Sequence, residues 1–129
     1  MIAALRNRLA KEEKGFTLIE LLVVIIILGI LTAIAIPSYL SFKDRANDNA
    51  AKANVRSIIP SVESFFADND TYVGMTLTSL QASYDQALDI TKYAMSGASA
   101  TSYCVSSTSG GKTWKKVGPS GQIVSGTAC

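Results

Sequence analysis

A single acid stands inside a long apolar run. Glu20 is the only charged residue between Phe16 and Phe42, and it follows the junction Lys14-Gly15-Phe16-Thr17-Leu18-Ile19. An ionised carboxylate within a membrane segment costs roughly 2.5–3.5 kcal/mol at mid-depth and less near the helix start, so it calls for a positive partner. Cutting the chain between Gly15 and Phe16 would create one: the new amine of Phe16 lies about one helical turn from Glu20. Such a cut removes a charged leader and keeps the apolar stretch, whereas an ordinary secretory signal is cut after that stretch. A buried pair of this kind is weak evidence for stability and better evidence for register between subunits.

Other chemistry is sparse. The chain has no histidine and two cysteines, Cys104 and Cys129. An even pair in a chain that leaves the cytoplasm reads as a disulfide closing a loop of about 26 residues, with two unrelated thiols as the alternative. No Cys–His pair, phosphate-binding glycine loop or activated serine is evident, so no enzyme and no cofactor is expected. Lys112, Lys115 and Lys116 surround Trp114. That cluster could grip single-stranded nucleic acid or an anionic surface, but an exposed edge strand kept soluble by lysines has the same composition. Asp68 and Asp70 are too few for a calcium site, and helix termination accounts for them, so no metal is expected.

The elements that must carry these residues fall into four zones. Residues 1–15 hold Arg6, Arg8, Lys11 and Lys14 against Glu12 and Glu13, which is the whole excess of the net charge of +2. From Phe16 onward eight basic residues balance eight acidic ones, so no global basic field exists to hold nucleic acid. Between Leu21 and Phe42 lie 22 uncharged positions, about 33 Å of helix and enough to cross a bilayer core. In lipid that run is helical despite its β-branched residues, because each backbone group needs an internal partner. Ala51, Val55, Ile58, Ile59, Val62, Phe65 and Phe66 then recur at helical spacing. One helix is therefore predicted from about Phe16 to about Ala67, with Val55, Ile59, Val62 and Phe66 facing a cover. Gly29, Pro37 and Pro60 weaken or bend it.

The cover is predicted downstream. Asp68-Asn69-Asp70 stops the helix, and residues 71–90 form a connection with a short helix. Strands follow at Thr91–Met95, Thr101–Ser107, Lys112–Val117 and Gln122–Ser125, separated by Gly-rich turns. Short turns between sequential strands imply an antiparallel meander, so the class is α+β: a long helix packed on a small sheet.

The basic leader ending in Gly15, then Phe16, then Glu20 at the fifth position of the trimmed chain resembles the type IV prepilin family with its class III signal peptide. Pro37 falls where many type IVa-like members carry a proline. The likeness is specific from Met1 to about Phe42 and general beyond. It implies cleavage between Gly15 and Phe16 by a membrane prepilin peptidase, methylation of the Phe16 amine, and a role for Glu20 in filament assembly. It also implies a leader over 1–15, a membrane and filament-core helix over 16–42, an amphipathic half over 43–67 and a head over 68–129. Partners would be further copies of the chain, the membrane before assembly, the peptidase and the assembly machinery. The product would be a pilus serving adhesion, twitching motility or DNA uptake. A pseudopilin or minor pilin shares the motif, although major pseudopilins typically hold the C-terminal loop with calcium. A different class, a secreted binding domain released after Ala35, is weakened by Glu20 and by the length of the apolar run.

Overall fold

The computed structural model describes residues 15–129, so the leader up to Lys14 lies outside the described residues. Helix α1, Leu18–Asn69, runs 52 residues without interruption, through both Pro37 and Pro60. The chain divides into two compact units, one ending at Leu40 and one spanning Ser41–Cys129, and α1 serves both.

In the first unit every large apolar side chain from Phe16 to Leu40 is exposed, from Leu18 at 85% to Leu22 at 44%. The hydroxyls of Thr32 and Ser38 bond back onto the helix. Thr32 Oγ1 donates to Leu28 O at 2.6 Å and Ser38 Oγ to Ile34 O at 3.3 Å. Such back-bonding satisfies a hydroxyl that lipid could not.

In the second unit α1 buries Ala51, Val55, Ile58, Val62 and Phe65, at alternating steps of four and three. The buried line therefore runs through Ile58 and Phe65, whereas Ile59 and Phe66 were expected to face the cover. Those two lie half-buried at its margin. Phe66 there stacks on Tyr72 with ring centroids 4.6 Å apart. Helix α2, Leu77–Ser83, is short but doubly capped, with Thr76 and Ser79 exchanging side-chain-to-backbone bonds at 3.1 and 3.0 Å. It carries the buried Leu80 into the core.

After a 3-10 turn at Ile90–Lys92 come β1 Tyr93–Ser96, β2 Tyr103–Ser109, β3 Lys112–Gly118 and β4 Ile123–Ser125. They form an antiparallel sheet in sequence order. Alternation along β2 sends Tyr103, Val105 and Ser107 to the helix side and Cys104 and Ser106 to the other. Two glycines set close approaches. Gly110, at φ +52°, lets the β2–β3 turn lie against the Asn47 side chain, where a Cβ would collide. Gly118 leaves room for the Tyr103 ring, its cross-strand neighbour.

One polar clamp joins helix, connection and sheet. Tyr103 OH donates to Glu63 Oε1 at 3.2 Å and Tyr72 OH to Glu63 Oε2 at 3.4 Å. Burial, and then the Glu63 charge, raise both phenols above the ordinary value of 10.0. The unfolded chain thus releases these protons first as pH rises. The stabilisation is complete below pH 10 and declines above it. Denaturant titrations of the detergent-solubilised chain should lose stability above pH 10, by at most about 1.4 kcal/mol per pH unit from Tyr103. Tyr103→Phe should flatten that slope, and an unchanged slope would remove the clamp from the account.

Candidate functional site

Gly15, Phe16 and Thr17 precede the helix and are exposed, and no atom lies within 4 Å of where a Gly15 side chain would be. The helix is capped here. Glu20 N donates to Thr17 Oγ1 at 3.2 Å, and Glu20 N and Leu21 N reach Thr17 O at 3.1 and 3.2 Å. Thr17 is thus the N-cap and Glu20 the third helical residue, half of a capping box. A carboxylate in this first turn also meets the positive end of the helix dipole, worth roughly 0.3–1 kcal/mol. Sequence reasoning passed over Thr17, although Thr17-Leu18-Ile19-Glu20 carries the T-x-x-E pattern that marks such a box.

The other singled-out residues lie elsewhere. Gly29 and Pro37 are inside α1 in the first unit, and Pro60 is on its exposed side in the second. Cys104 and Cys129 are joined, with Cα atoms 5.8 Å apart. The lysine–tryptophan cluster departs from the expectation of an exposed edge, because β3 is paired on both sides by β2 and β4. Trp114 faces the helix, donates from Nε1 to Asp48 Oδ1 at 2.9 Å, and holds Lys52 Nζ 4.6 Å from its ring centroid. Lys116 Nζ donates to Pro119 O at 3.1 Å and to Gly121 O at 2.6 Å. The aromatic ring and one of the three lysines are thus spent on internal contacts, leaving no free stacking platform of the kind single strands use. Among the described residues no group of three His, Cys, Asp or Glu side chains could hold a metal ion.

A chemically distinctive junction followed by a bare apolar helix is what the comparisons match. Residues 10–36 fit the family model described as the prokaryotic N-terminal methylation motif. Over 105 residues the chain is 35% identical to the type IV wide pilus major component PilA4 of Thermus thermophilus, covering 81% of this chain and 80% of that one. The chain belongs to the type IV pilin family. Its N-terminal junction is accordingly a class III, prepilin-type signal. This pilin is also 42% identical over 66 residues to the type IV major pilin protein PilA of Myxococcus xanthus, across 51% of its own length but only 30% of that relative. A type II secretion system core protein G of Pseudomonas aeruginosa matches at 39% over 62 residues, covering 48% of this chain and 44% of that one. The likeness to PilA4 runs through most of both chains, the likeness to core protein G through less than half of each. The relatives are structural subunits, and pilin architecture accounts for the long apolar helix and four-stranded sheet.

Proposed function

We propose that this pilin is the structural subunit of an extracellular type IV pilus, cut between Gly15 and Phe16 by prepilin peptidase and N-methylated on Phe16. The observation that carries the reading is the wholly exposed apolar half of α1, which starts at a capped Glu20 and bears no other charge. Such a surface has two solvents available, lipid or copies of itself. Before assembly the helix over 16–42 spans the cytoplasmic membrane with the leader inside. The assembly machinery then transfers it into a bundle of like helices, exchanging lipid contacts for protein contacts. The amphipathic half over 43–67 and the residues beyond it form the head presented outside, for adhesion, twitching motility or DNA uptake. Gly29 and Pro37 give the middle of the membrane half a weaker helix, a place to unwind on assembly, and Pro60 a weaker point in the head. The breadth of the likeness to PilA4 supports a pilin over a pseudopilin.

Co-expression with a prepilin peptidase, followed by mass spectrometry of sheared surface filaments, tests this. The main subunit should begin at N-methylated Phe16. Filaments lacking it, or a secreted chain beginning at Ile36, would reject the reading.

A further inference from the structure

The head carries its charges unevenly. Residues 41–57 together with β3 hold seven Lys or Arg and two acids, Asp44 and Asp48. The rest of 58–129 holds one base, Lys92, and five acids. The ion pair among the described residues joins Lys92 to Asp89 at 3.5 Å, so none of the seven is neutralised by an acid of the described chain. Lys52 lies on the Trp114 ring and Lys116 on the carbonyls of Pro119 and Gly121, contacts that leave their charge in place.

The apolar run of α1 ends at Phe42, which is 72% exposed and is followed by exposed Lys43, Asp44 and Arg45. The β2–β3 hairpin reaches nearly to that level. Gly110 lies against the Asn47 side chain, and Ser109 Oγ donates to Asn47 Oδ1 at 3.4 Å. Asn47 is five residues past Phe42, about 7.5 Å along the helix, and Lys112 beside the hairpin tip is exposed. If the span ends at Phe42, these groups stand at headgroup depth on the outer side. There the orientation bias of membrane proteins disfavours Lys and Arg within about 15–20 residues of a span. An unpaired basic excess at that place calls for an anionic ligand.

We propose that this end of the head, through Phe42, Lys43, Arg45 and Lys112, seats on anionic phospholipid headgroups while the chain waits for assembly. The proposal rests on the membrane-spanning reading above and adds what the head binds in that state. The Phe42 ring enters the interface, and the long basic side chains reach the phosphates. Asp44 and Asp48 weaken the attraction, and Lys52, Lys115 and Lys116 restore the surplus behind them. Glu63, the next acid along α1, lies about 30 Å from Phe42, well past the screening length of about 8–10 Å. Extraction then breaks this seat as well as the lipid contacts of the span, so anionic lipid content sets how firmly the monomer is held.

Lysine acylation of the full chain in phospholipid nanodiscs, read at each lysine by peptide mass spectrometry, tests this. Lys92 is the internal control. Asn54 Nδ2 donates to Ser107 Oγ at 3.1 Å, and Ser107 Oγ donates to Lys92 O at 2.7 Å. Lys92 therefore stands near the level of Asn54, about 18 Å past Phe42 and beyond the screening length. Phosphatidylglycerol mixed into phosphatidylcholine should slow Lys43 and Lys112 roughly threefold or more relative to Lys92, and high salt should abolish the difference. Arg45→Glu should return Lys112 to its rate in phosphatidylcholine alone, with the thermal transition of the head unchanged. Equal rates in the two lipids, or equal slowing of all three lysines, overturn the proposal. So does the same slowing of Lys43 and Lys112 in phosphatidylcholine alone, which would mean burial without recognition of an anion. The measurement needs neither peptidase nor filaments, so these outcomes leave the pilin reading standing. A chain that does not enter nanodiscs would instead remove the membrane-spanning reading beneath the proposal.

Discussion

Glu20→Ala should leave the proposed cleavage between Gly15 and Phe16 intact and abolish filaments. The Gly15–Phe16 peptide bond lies in the exposed, non-helical stretch before Leu18, so on the proposed reading the peptidase needs no side chain a turn later. Assembly does. Among packed apolar helices the Phe16 amine and the Glu20 carboxylate have no water to turn to. Removing one partner leaves a buried charge uncompensated, at about 3–5 kcal/mol. At roughly 1.4 kcal/mol per factor of ten, even the low end reduces subunit addition more than a hundredfold. The measurement is filament yield after shearing, beside N-terminal sequencing of membrane-held monomer. Normal yield from this variant would contradict the account.

The cap on Thr17 complicates that result and also sharpens it. Loss of the acid from the first turn forfeits a dipole interaction of roughly 0.3–1 kcal/mol, too little to stop assembly. Glu20→Gln separates the two effects. It keeps the size and hydrogen-bonding capacity that a capping box uses but not the charge. If Gln supported filaments, helix capping rather than charge pairing would be the purpose of the motif.

Much of this molecule was legible because its two solvents write different patterns. Residues 21–42 are apolar on every side and residues 51–66 on one, and both patterns are helical, so the observed Leu18–Asn69 differs from the expected 16–67 by two residues at each end. The strands were legible from β-type runs between glycine turns. The phase of the buried stripe was not. Apolar residues stand side by side at Ile58-Ile59 and Phe65-Phe66, so spacing alone leaves the rotation of α1 open by about 100°. Lateral order was equally hidden. A lysine-rich strand reads as an edge until its neighbours are known, and β4 turned it into an interior one. The bond from Trp114 to Asp48 spans 66 positions and that from Tyr103 to Glu63 spans 40, beyond the reach of local pattern. Thr17 is the opposite case: its signal was local and complete, but the strength of the cleavage motif masked it.

Replacing Cys104 and Cys129 together by serine should cost the head about 3.5 kcal/mol, the loop-closure entropy for the 26 residues they bound. The Cα separation of 5.8 Å lies within the usual range of about 4.4–6.8 Å for disulfides, so no relief of poor geometry offsets the loss. The bond acts on the face of the sheet away from the helix. Cys104 is on that face of β2, Cys129 N donates to Ser106 Oγ at 3.1 Å, and Gly126 N donates to Thr113 O at 3.1 Å. The final segment thus covers the outer face of β2 and β3, which explains why Ser106 is 1% exposed on a side with no helix. Two such hydrogen bonds contribute roughly 1 kcal/mol each and cannot by themselves hold a segment whose ordering costs 1–2 kcal/mol per residue. Without the crosslink the segment frays, the three-residue β4 loses its anchor, and β3 becomes the exposed edge its lysines suggested. Against a domain stability of about 5–15 kcal/mol, the melting temperature should fall by roughly 15–25 °C. Calorimetry of wild type, reduced wild type and the double variant decides the point. The last two should agree, with amide exchange accelerated first over residues 123–129. A loss below about 1 kcal/mol would mean that the sheet, not the crosslink, keeps the tail in place.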